Sequence, residues 1–204
     1  MIAIIDYGLG NVLAFVNVYN RMNIPVAVAK SASDLRNASR LILPGVGSFD
    51  HAMQQFDHSG MRNMVEQLVI QENKPVLGIC VGMQMLAKSS DEGDLPGLGW
   101  IDGKVKKFDL AAMPPETHLP HMGWNDVIPV AESGLFKGMD RDSRFYFLHS
   151  YYFKCNQQSN VLAVSDYGGN FSCAVRKGNV YGVQFHPEKS HHFGSQLLKN
   201  FAEV

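Results

Sequence analysis

A cysteine between glycines is the residue of this sequence best suited to nucleophilic chemistry. Gly78-Ile79-Cys80-Val81-Gly82 is the thiol version of the G-x-S-x-G nucleophile elbow, a strained turn that exposes the nucleophile. The flanking glycines let the backbone and the following helix approach each other closely. A lone cysteine in an apolar segment is more often a buried structural residue. The nucleophile interpretation therefore needs a base and an oxyanion site elsewhere in the chain.

A base is available in His186. The segment 180–185 predicts a strand, and His186 follows at its end, before Pro187 and Glu188. A histidine at a strand end can lean over an elbow on a neighbouring strand, and Glu188 can turn back to the other ring nitrogen. Glu188 would then hold the imidazole tautomer and stabilise the imidazolium, as a triad acid does. We therefore predict a triad of Cys80, His186 and Glu188.

A thiolate that attacks a carbonyl also needs hydrogen-bond donors for the oxyanion. One predicted donor is the N–H of Val81, where the elbow helix begins. The second should come from the glycine loop Pro44-Gly45-Val46-Gly47, through Val46 and Gly47. Since loss of one donor costs about 10²–10³-fold in rate, movement of this loop could control the activity. The alternative is that the loop is only a turn between a strand and a helix.

Alternating strand and helix patterns surround these residues in the first half of the chain. Ile2 to Ile5 predicts a buried strand, and apolar residues at helical spacing from Val12 to Tyr19 predict a helix. Further strands are predicted at 24–28, at 40–43 and before the elbow, and a helix broken near residue 60 is predicted over 48–72. This alternation predicts an open, mostly parallel central sheet with helices on both faces, which is an α/β fold.

The second half of the chain is richer in strands and turns. Strands are predicted at 100–108, 126–130, 145–149, 161–165, 171–175 and 180–185, and a final helix at 193–202. We therefore predict a smaller antiparallel β region in the C-terminal half. A length of 204 residues suits one domain, which we expect to span residues 1–204.

Composition excludes several classes of partner. With 18 basic and 19 acidic residues, there is no reason to expect nucleic acid or an anionic membrane. No segment approaches about 18 apolar residues, so we predict no membrane span. Three cysteines do not suggest a disulfide framework, and a cytoplasmic location is expected. We expect no cofactor, and no metal at His191-His192, because adjacent histidines at a helix start diverge.

Two of these motifs carry a resemblance to a known family. Gly78-x-Cys80-x-Gly82-x-Gln84 and His186-x-Glu188 resemble the class I (triad) glutamine amidotransferases. Further strings, over essentially the whole chain, resemble the glutaminase subunits of imidazole glycerol phosphate synthases: Asp6-Tyr7-Gly8-x-Gly10-Asn11, Pro44-Gly45-Val46-Gly47, Leu119-Pro120-His121-Met122-Gly123-Trp124-Asn125 and His149-Ser150-Tyr151.

The resemblance implies a mechanism and a binding site. Cys80 would attack the side-chain amide of L-glutamine, His186 would protonate the leaving ammonia, and water would hydrolyse the glutamyl thioester. The residues expected to hold the glutamine are Gly47, Gln84, Ser150 and Tyr151. The resemblance also implies that the loop at 44–47 turns an amide toward the oxyanion only when the partner is occupied.

The resemblance implies a partner as well. Ammonia would pass to a HisF-type (β/α)8-barrel cyclase subunit in a heterodimer, which makes imidazole glycerol phosphate and AICAR in histidine biosynthesis. The positions that match the partner interface and the ammonia passage are Asn11, Met122, Trp124 and Tyr146.

Three alternatives stay open at this stage. His191-His192 departs from the usual pattern, and related subunits supply ammonia for the amidation of a surface-polysaccharide sugar. A stand-alone elbow-cysteine hydrolase is a second alternative, although such proteins usually lack the His-Pro-Glu string and Gln84. A scaffold subunit with a vestigial triad is the third, and the intact Cys80, His186 and Glu188 speak against it.

Overall fold

Strands and helices alternate through the first half of the chain in the computed structural model, which describes residues 1–139 and 143–204. The strands are β1 (Ile2–Ile5), β2 (Val26–Ala29), β3 (Arg40–Gly45), β4 (Val76–Cys80), β5 (Ser89–Ser90), β6 (Gly103–Lys107), β7 (His121–Asp126), β8 (Ile128–Pro129), β9 (Arg144–His149), β10 (Tyr151–Cys155), β11 (Val161–Asp166), β12 (Asn170–Lys177) and β13 (Val180–Val183). The α-helices are α1 (Val12–Arg21), α2 (Phe49–His58), α3 (Arg62–Glu66), α4 (Val81–Gln84) and α5 (His191–Phe201). A π-helical turn at Gln67–Gln71 extends α3, and 3-10 turns lie at Ala32–Leu35, Leu110–Ala112, Gly134–Phe136, Gln158–Asn160 and Pro187–Lys189.

Five parallel strands form the half of the main sheet that carries the cysteine. Their order is β2-β1-β3-β4-β13, and each neighbouring pair is parallel. All four residues of β1 and all five of β4 are buried, as expected of parallel strands covered on both faces. Helix α1 packs against α5, and α2 packs against α4. The carboxyl ends of β3, β4 and β13 consequently meet at one edge of the sheet.

Mostly antiparallel strands extend the sheet beyond β13, and only the last pair, β5 with β6, is parallel. The order continues β12-β10-β6-β5, with β11 pairing β12 and β8. A separate two-stranded antiparallel sheet joins β7 to β9, with Trp124 opposite Tyr146. The predicted fold class, a mostly parallel central sheet with a smaller antiparallel region, is confirmed.

Several strand predictions differ from the structure. The strand predicted at 126–130 is shorter in the structure, where only Ile128 and Pro129 pair, as β8, and β7 already ends at Asp126. The strand predicted at 100–108 is confined to β6, and β10 was not predicted at all. In β7 the buried position is taken by His121 while Met122 and Trp124 are exposed. Its hydrophobic pattern is therefore the reverse of that of an ordinary half-buried strand.

The helices follow the prediction more closely. The break expected near residue 60 separates α2 from α3, and the final helix begins two residues before the predicted start. Helix α4 is only one turn long. Among the described residues, no helix combines the length and the apolar character that a membrane crossing requires.

Candidate active site

Cys80 lies at a strained corner between β4 and α4. Its backbone angles are φ 56° and ψ −116°, in the region that non-glycine residues rarely adopt and that costs about 1–3 kcal/mol. A Cβ on Gly78 would lie 2.6 Å from the carbonyl oxygen of Gly82, and one on Gly82 would collide with the carbonyl oxygen of Leu43. Both glycines are therefore required by the close approach of backbone at the elbow.

The structure brings the three predicted triad residues together. Strand β13 lies parallel to β4, so the chain that continues from β13 to His186 passes beside Cys80. Nδ1 of His186 lies 2.9 Å from Oε1 of Glu188, and both side chains are almost fully buried. The backbone N–H of His186 donates to the carbonyl of Tyr146 at 2.8 Å. This backbone contact holds His186 between β9 and the elbow.

The surroundings of His186 favour its charged form. Burial lowers the pKa of His186, but its hydrogen bonds with Cys80 and Glu188 outweigh burial and raise the pKa to about 10. These contacts favour the imidazolium form, with Nδ1 facing the carboxylate. An imidazolium beside a thiol can pair with the thiolate and later supply a proton to a leaving amine.

A cavity of about 270 Å³ opens in front of the cysteine. Of the predicted catalytic, oxyanion and substrate-binding residues, the cavity is lined by Val46, Gly47, Cys80, Val81, Gln84, Ser150, Tyr151 and His186. Glu188 stands behind His186. A larger open depression of about 760 Å³ lies between Pro129 and Met139 and contains none of these residues.

The predicted oxyanion loop lies against the elbow. Gly45 is opposite Cys80 in the β3–β4 register, and a Cβ on Gly45 would lie 2.6 Å from the amide nitrogen of Gly82. The hydroxyl of Tyr7 donates to the Pro44 carbonyl at 2.7 Å and holds the start of the loop. Gly47 has φ +91°, which a side chain would not favour. The loop is thus a strand-to-helix turn that also faces the nucleophile.

Comparison with known proteins agrees with this geometry. A family model described as glutamine amidotransferase class-I matches residues 3–204. The chain belongs to the class-I glutamine amidotransferase family. This amidotransferase is 60% identical to a protein of Bdellovibrio bacteriovorus and 48% identical to one of Leptospira interrogans, over 204 residues and 100% of both chains in each case. Both relatives are named imidazole glycerol phosphate synthase subunit HisH.

Solved structures show the same fold. A crystal structure described as a glutamine amidotransferase aligns with 100% of this chain and 99% of its own, with a TM-score of 0.75 at 20% identity. At that identity the likeness establishes the fold of the amidotransferase and not its substrate.

Glu92 is a residue of the amidotransferase cavity that sequence reasoning missed. Its Oε2 accepts the Phe49 N–H at 2.8 Å, at the beginning of α2. Burial raises the pKa of Glu92; the hydrogen bond from Phe49 opposes this shift, and the charge of Asp50 adds to it. In the sequence, Glu92 lies in an acidic loop typical of a solvated surface, so no signal separated it from its neighbours.

The predicted interface residues lie mostly on one face. Met122 and Trp124 project from the same side of β7, where they are 64% and 40% exposed. The ring centroid of Trp124 lies 6.3 Å from that of Tyr146. Trp124 also stacks on His191, with the two ring centroids 5.1 Å apart. Asn11 lies elsewhere, at the start of α1, where its side chain accepts the Ala14 N–H.

His191 and His192 have aromatic partners in the amidotransferase. His191 stacks on Trp124, and His192 packs on Phe193. No cluster of three or more histidine, cysteine, aspartate or glutamate side chains suited to a metal ion occurs in residues 1–139 and 143–204.

Proposed function

We propose that this chain is the glutaminase subunit of an imidazole glycerol phosphate synthase. It hydrolyses L-glutamine to glutamate and ammonia and passes the ammonia to a HisF-type (β/α)8-barrel cyclase subunit, in a heterodimer that serves histidine biosynthesis. The observation that supports the chemistry is the buried His186–Glu188 pair beside the strained Cys80. Full-length relatives named HisH, 60% and 48% identical to this chain, support the pathway.

The first step forms a thioester intermediate. The Cys80 thiolate attacks the carbonyl carbon of the glutamine side-chain amide, and the carbonyl oxygen becomes an oxyanion. The N–H of Val81 and an N–H of the Val46–Gly47 segment stabilise that charge. The carbon–nitrogen bond then breaks, and the leaving nitrogen takes the proton of His186 Nε2 and departs as ammonia.

The second step releases glutamate. With its proton given up, His186 accepts a proton from a water molecule as that water attacks the thioester carbon. The carbon–sulfur bond breaks, glutamate leaves, and the sulfur again faces an imidazolium. Glu188 stabilises this imidazolium at both ends of the cycle.

The walls of the cavity hold the α-substituents of glutamine. Gly47, Gln84, Ser150 and Tyr151 retain the predicted substrate-binding role, since all four line the cavity. Glu92 is the carboxylate that we assign to the α-ammonium group, because a partly buried carboxylate pairs with a bound cation. Its contact with Phe49 uses only Oε2, which leaves the other oxygen for the substrate.

The face that carries Met122, Trp124 and Tyr146 is the proposed docking surface for the cyclase. Leu148 opposes Met122 in the β7–β9 register and also lines the cavity. The docking surface is thus continuous with the chamber in which ammonia forms. Asn11 would contact the same partner from the start of α1.

The names of the full-length relatives favour histidine biosynthesis over the surface-polysaccharide alternative. No observation favours a stand-alone hydrolase or a scaffold subunit. We also propose that residues 1–204 form one domain and that the protein is cytoplasmic, in keeping with its three free cysteines.

The deciding experiment compares two nitrogen sources. The chain is purified with the HisF-type subunit of the same organism, and imidazole glycerol phosphate formation is measured with glutamine or with ammonium salts. Cys80→Ala should abolish the glutamine-dependent rate and leave the ammonia-dependent rate unchanged. Glutamine-dependent turnover in that variant, or a wild-type complex that makes no imidazole glycerol phosphate, would contradict the proposal.

A further inference from the structure

The side chain of Gln184 is fully buried beside the nucleophile. Gln184 follows the end of β13, and both its side chain and that of His186 contact Cys80. Nε2 of Gln184 lies 3.8 Å from the sulfur of Cys80, and Oε1 lies 3.0 Å from Nε2 of Gln84. A buried carboxamide needs partners for its polar atoms. The direction of these contacts therefore shows which end of the Gln184 amide faces the sulfur.

The direction follows from the carbonyl of Tyr151. A carbonyl can only accept, and Nε2 of Gln84 lies 3.3 Å from it, so Gln84 turns its NH₂ group toward the carbonyl. The second hydrogen of that NH₂ donates to Gln184 Oε1. The NH₂ group of Gln184 must then be the end that faces the Cys80 sulfur.

A second branch of hydrogen bonds fixes the same carbonyl. Nδ1 of His149 donates to the Tyr151 carbonyl at 2.7 Å, so Nε2 of His149 accepts from Nδ1 of His121 at 3.0 Å. The remaining nitrogen of His121 accepts from Nδ2 of Asn125 at 3.2 Å. Burial lowers the pKa of His121 to about 4 and that of His149 to about 3. Both rings are therefore neutral, with one tautomer each.

We propose that Gln184 is the thiolate-stabilising residue of this active site, held with its NH₂ group toward Cys80 by Gln84 and the Tyr151 carbonyl. The inference rests on the proposed function of Cys80 as nucleophile. An N–H donor interacts weakly with a neutral thiol and strongly with a thiolate. Gln184 therefore favours the charged sulfur from one side, while His186 pairs with it from another.

The network prevents the opposite orientation of the amide. A Gln184 side chain turned by 180° would place its oxygen against the sulfur and repel a thiolate. It would also place two NH₂ groups against each other at Gln84. The two contacts thus oppose the flip together, and the donor is in place before substrate arrives.

The test measures the ionisation of the cysteine rather than turnover. Iodoacetamide reacts with the thiolate, so the alkylation rate of Cys80 is followed from pH 5 to 10, with mass spectrometry of the Cys80 peptide to exclude Cys155 and Cys173. Gln184→Glu keeps an oxygen for Gln84 but removes the donor, and Gln184→Met removes both contacts. Both variants should move the alkylation midpoint upward by about one pH unit or more.

A matched control separates ionisation from packing. Phe185, the next residue, packs on Phe145, with the two ring centroids 4.1 Å apart. Phe185→Leu should lower the melting temperature while leaving the alkylation midpoint at the wild-type value.

The outcomes distinguish this inference from the proposed function. An unchanged midpoint in either Gln184 variant, with a melting curve that shows it is folded, overturns the role of Gln184 even if the wild type hydrolyses glutamine. A shifted midpoint in both variants supports the role even if the wild type shows no glutaminase activity, in which case only the proposed function fails.

Discussion

Nδ1 of His186 lies 2.9 Å from Oε1 of Glu188, and a single residue, Pro187, separates the two along the chain. Pro187 begins a 3-10 turn, and its fixed φ helps the chain to reverse within that distance. The other carboxylate oxygen, Oε2, is buried and has no hydrogen-bond partner among the described residues. Among the described residues, the carboxylate of Glu188 therefore hydrogen-bonds only with the imidazole of His186.

Glu188→Gln should slow glutamine hydrolysis by about 10²–10⁴-fold in kcat, with a smaller change in KM. The amide can still accept from Nδ1, but it removes the charge that helps to raise the pKa of His186. The alkaline limb of the kcat/KM profile should consequently move to lower pH. The measurement is a pH profile of glutamine hydrolysis in the complex. A variant with a wild-type alkaline limb would show that Glu188 does not stabilise the imidazolium.

Glu92→Gln should raise KM for glutamine by about 10–100-fold and change kcat much less, because a charge-assisted hydrogen bond to the bound substrate is lost. Glutaramate, which is glutamine without its α-amino group, provides the control. The wild type and the variant should hydrolyse glutaramate with similar kcat/KM. If the variant lost the same factor in kcat/KM with both substrates, Glu92 would act only through its contact with Phe49.

Acid should destabilise the folded protein through His121 and His149. Burial depresses the pKa of both below the ordinary value of 6.5, so the unfolded chain binds more protons and stability falls as the pH falls below about 6.5. His186, whose pKa is raised, acts in the opposite sense and only above that pH. Each buried histidine contributes a slope of up to about 1.4 kcal/mol per pH unit.

The substitution His149→Gln tests this slope, because the amide oxygen of the introduced glutamine can still accept a hydrogen bond from His121. Urea unfolding at pH 7 and pH 5 should show that the variant loses less stability on acidification than the wild type. Phe171→Leu, which alters a ring packed on His149, should lower stability about equally at both pH values. An unchanged slope in the histidine variant would contradict the assignment.

Trp124→Ala should weaken association with the HisF-type subunit by about 10-fold or more, since exposed aromatic side chains dominate interface energies. Ile70→Ala serves as the control. Ile70 is also an exposed apolar residue, but it precedes β4 and so lies toward the opposite end of that strand from Cys80. Titration calorimetry should find normal affinity for the control variant. Equal affinities for both variants would place the docking surface elsewhere.

Local sequence strings predicted much of the candidate site. The elbow glycines, the His-Pro-Glu segment and the parallel strands each depend on residues close together in the chain. Glu92 and Gln184 could not be found in this way. Gln184 and its partner Gln84 are 100 residues apart, and a buried polar side chain after an apolar strand resembles a surface position in the sequence. Only the fold shows that Gln184 faces the sulfur.

The Tyr151 carbonyl, which accepts from both His149 and Gln84, has a consequence for engineering. The same oxygen orients the side chain of Gln84, which lines the substrate cavity. Through Gln184 it also determines which group faces the Cys80 sulfur. Changes of substrate range at Gln84 will therefore carry a penalty in reactivity, and substitutions at Gln84 and His149 should combine non-additively. Directed evolution toward a different amide should recover paired changes in this group more often than single ones.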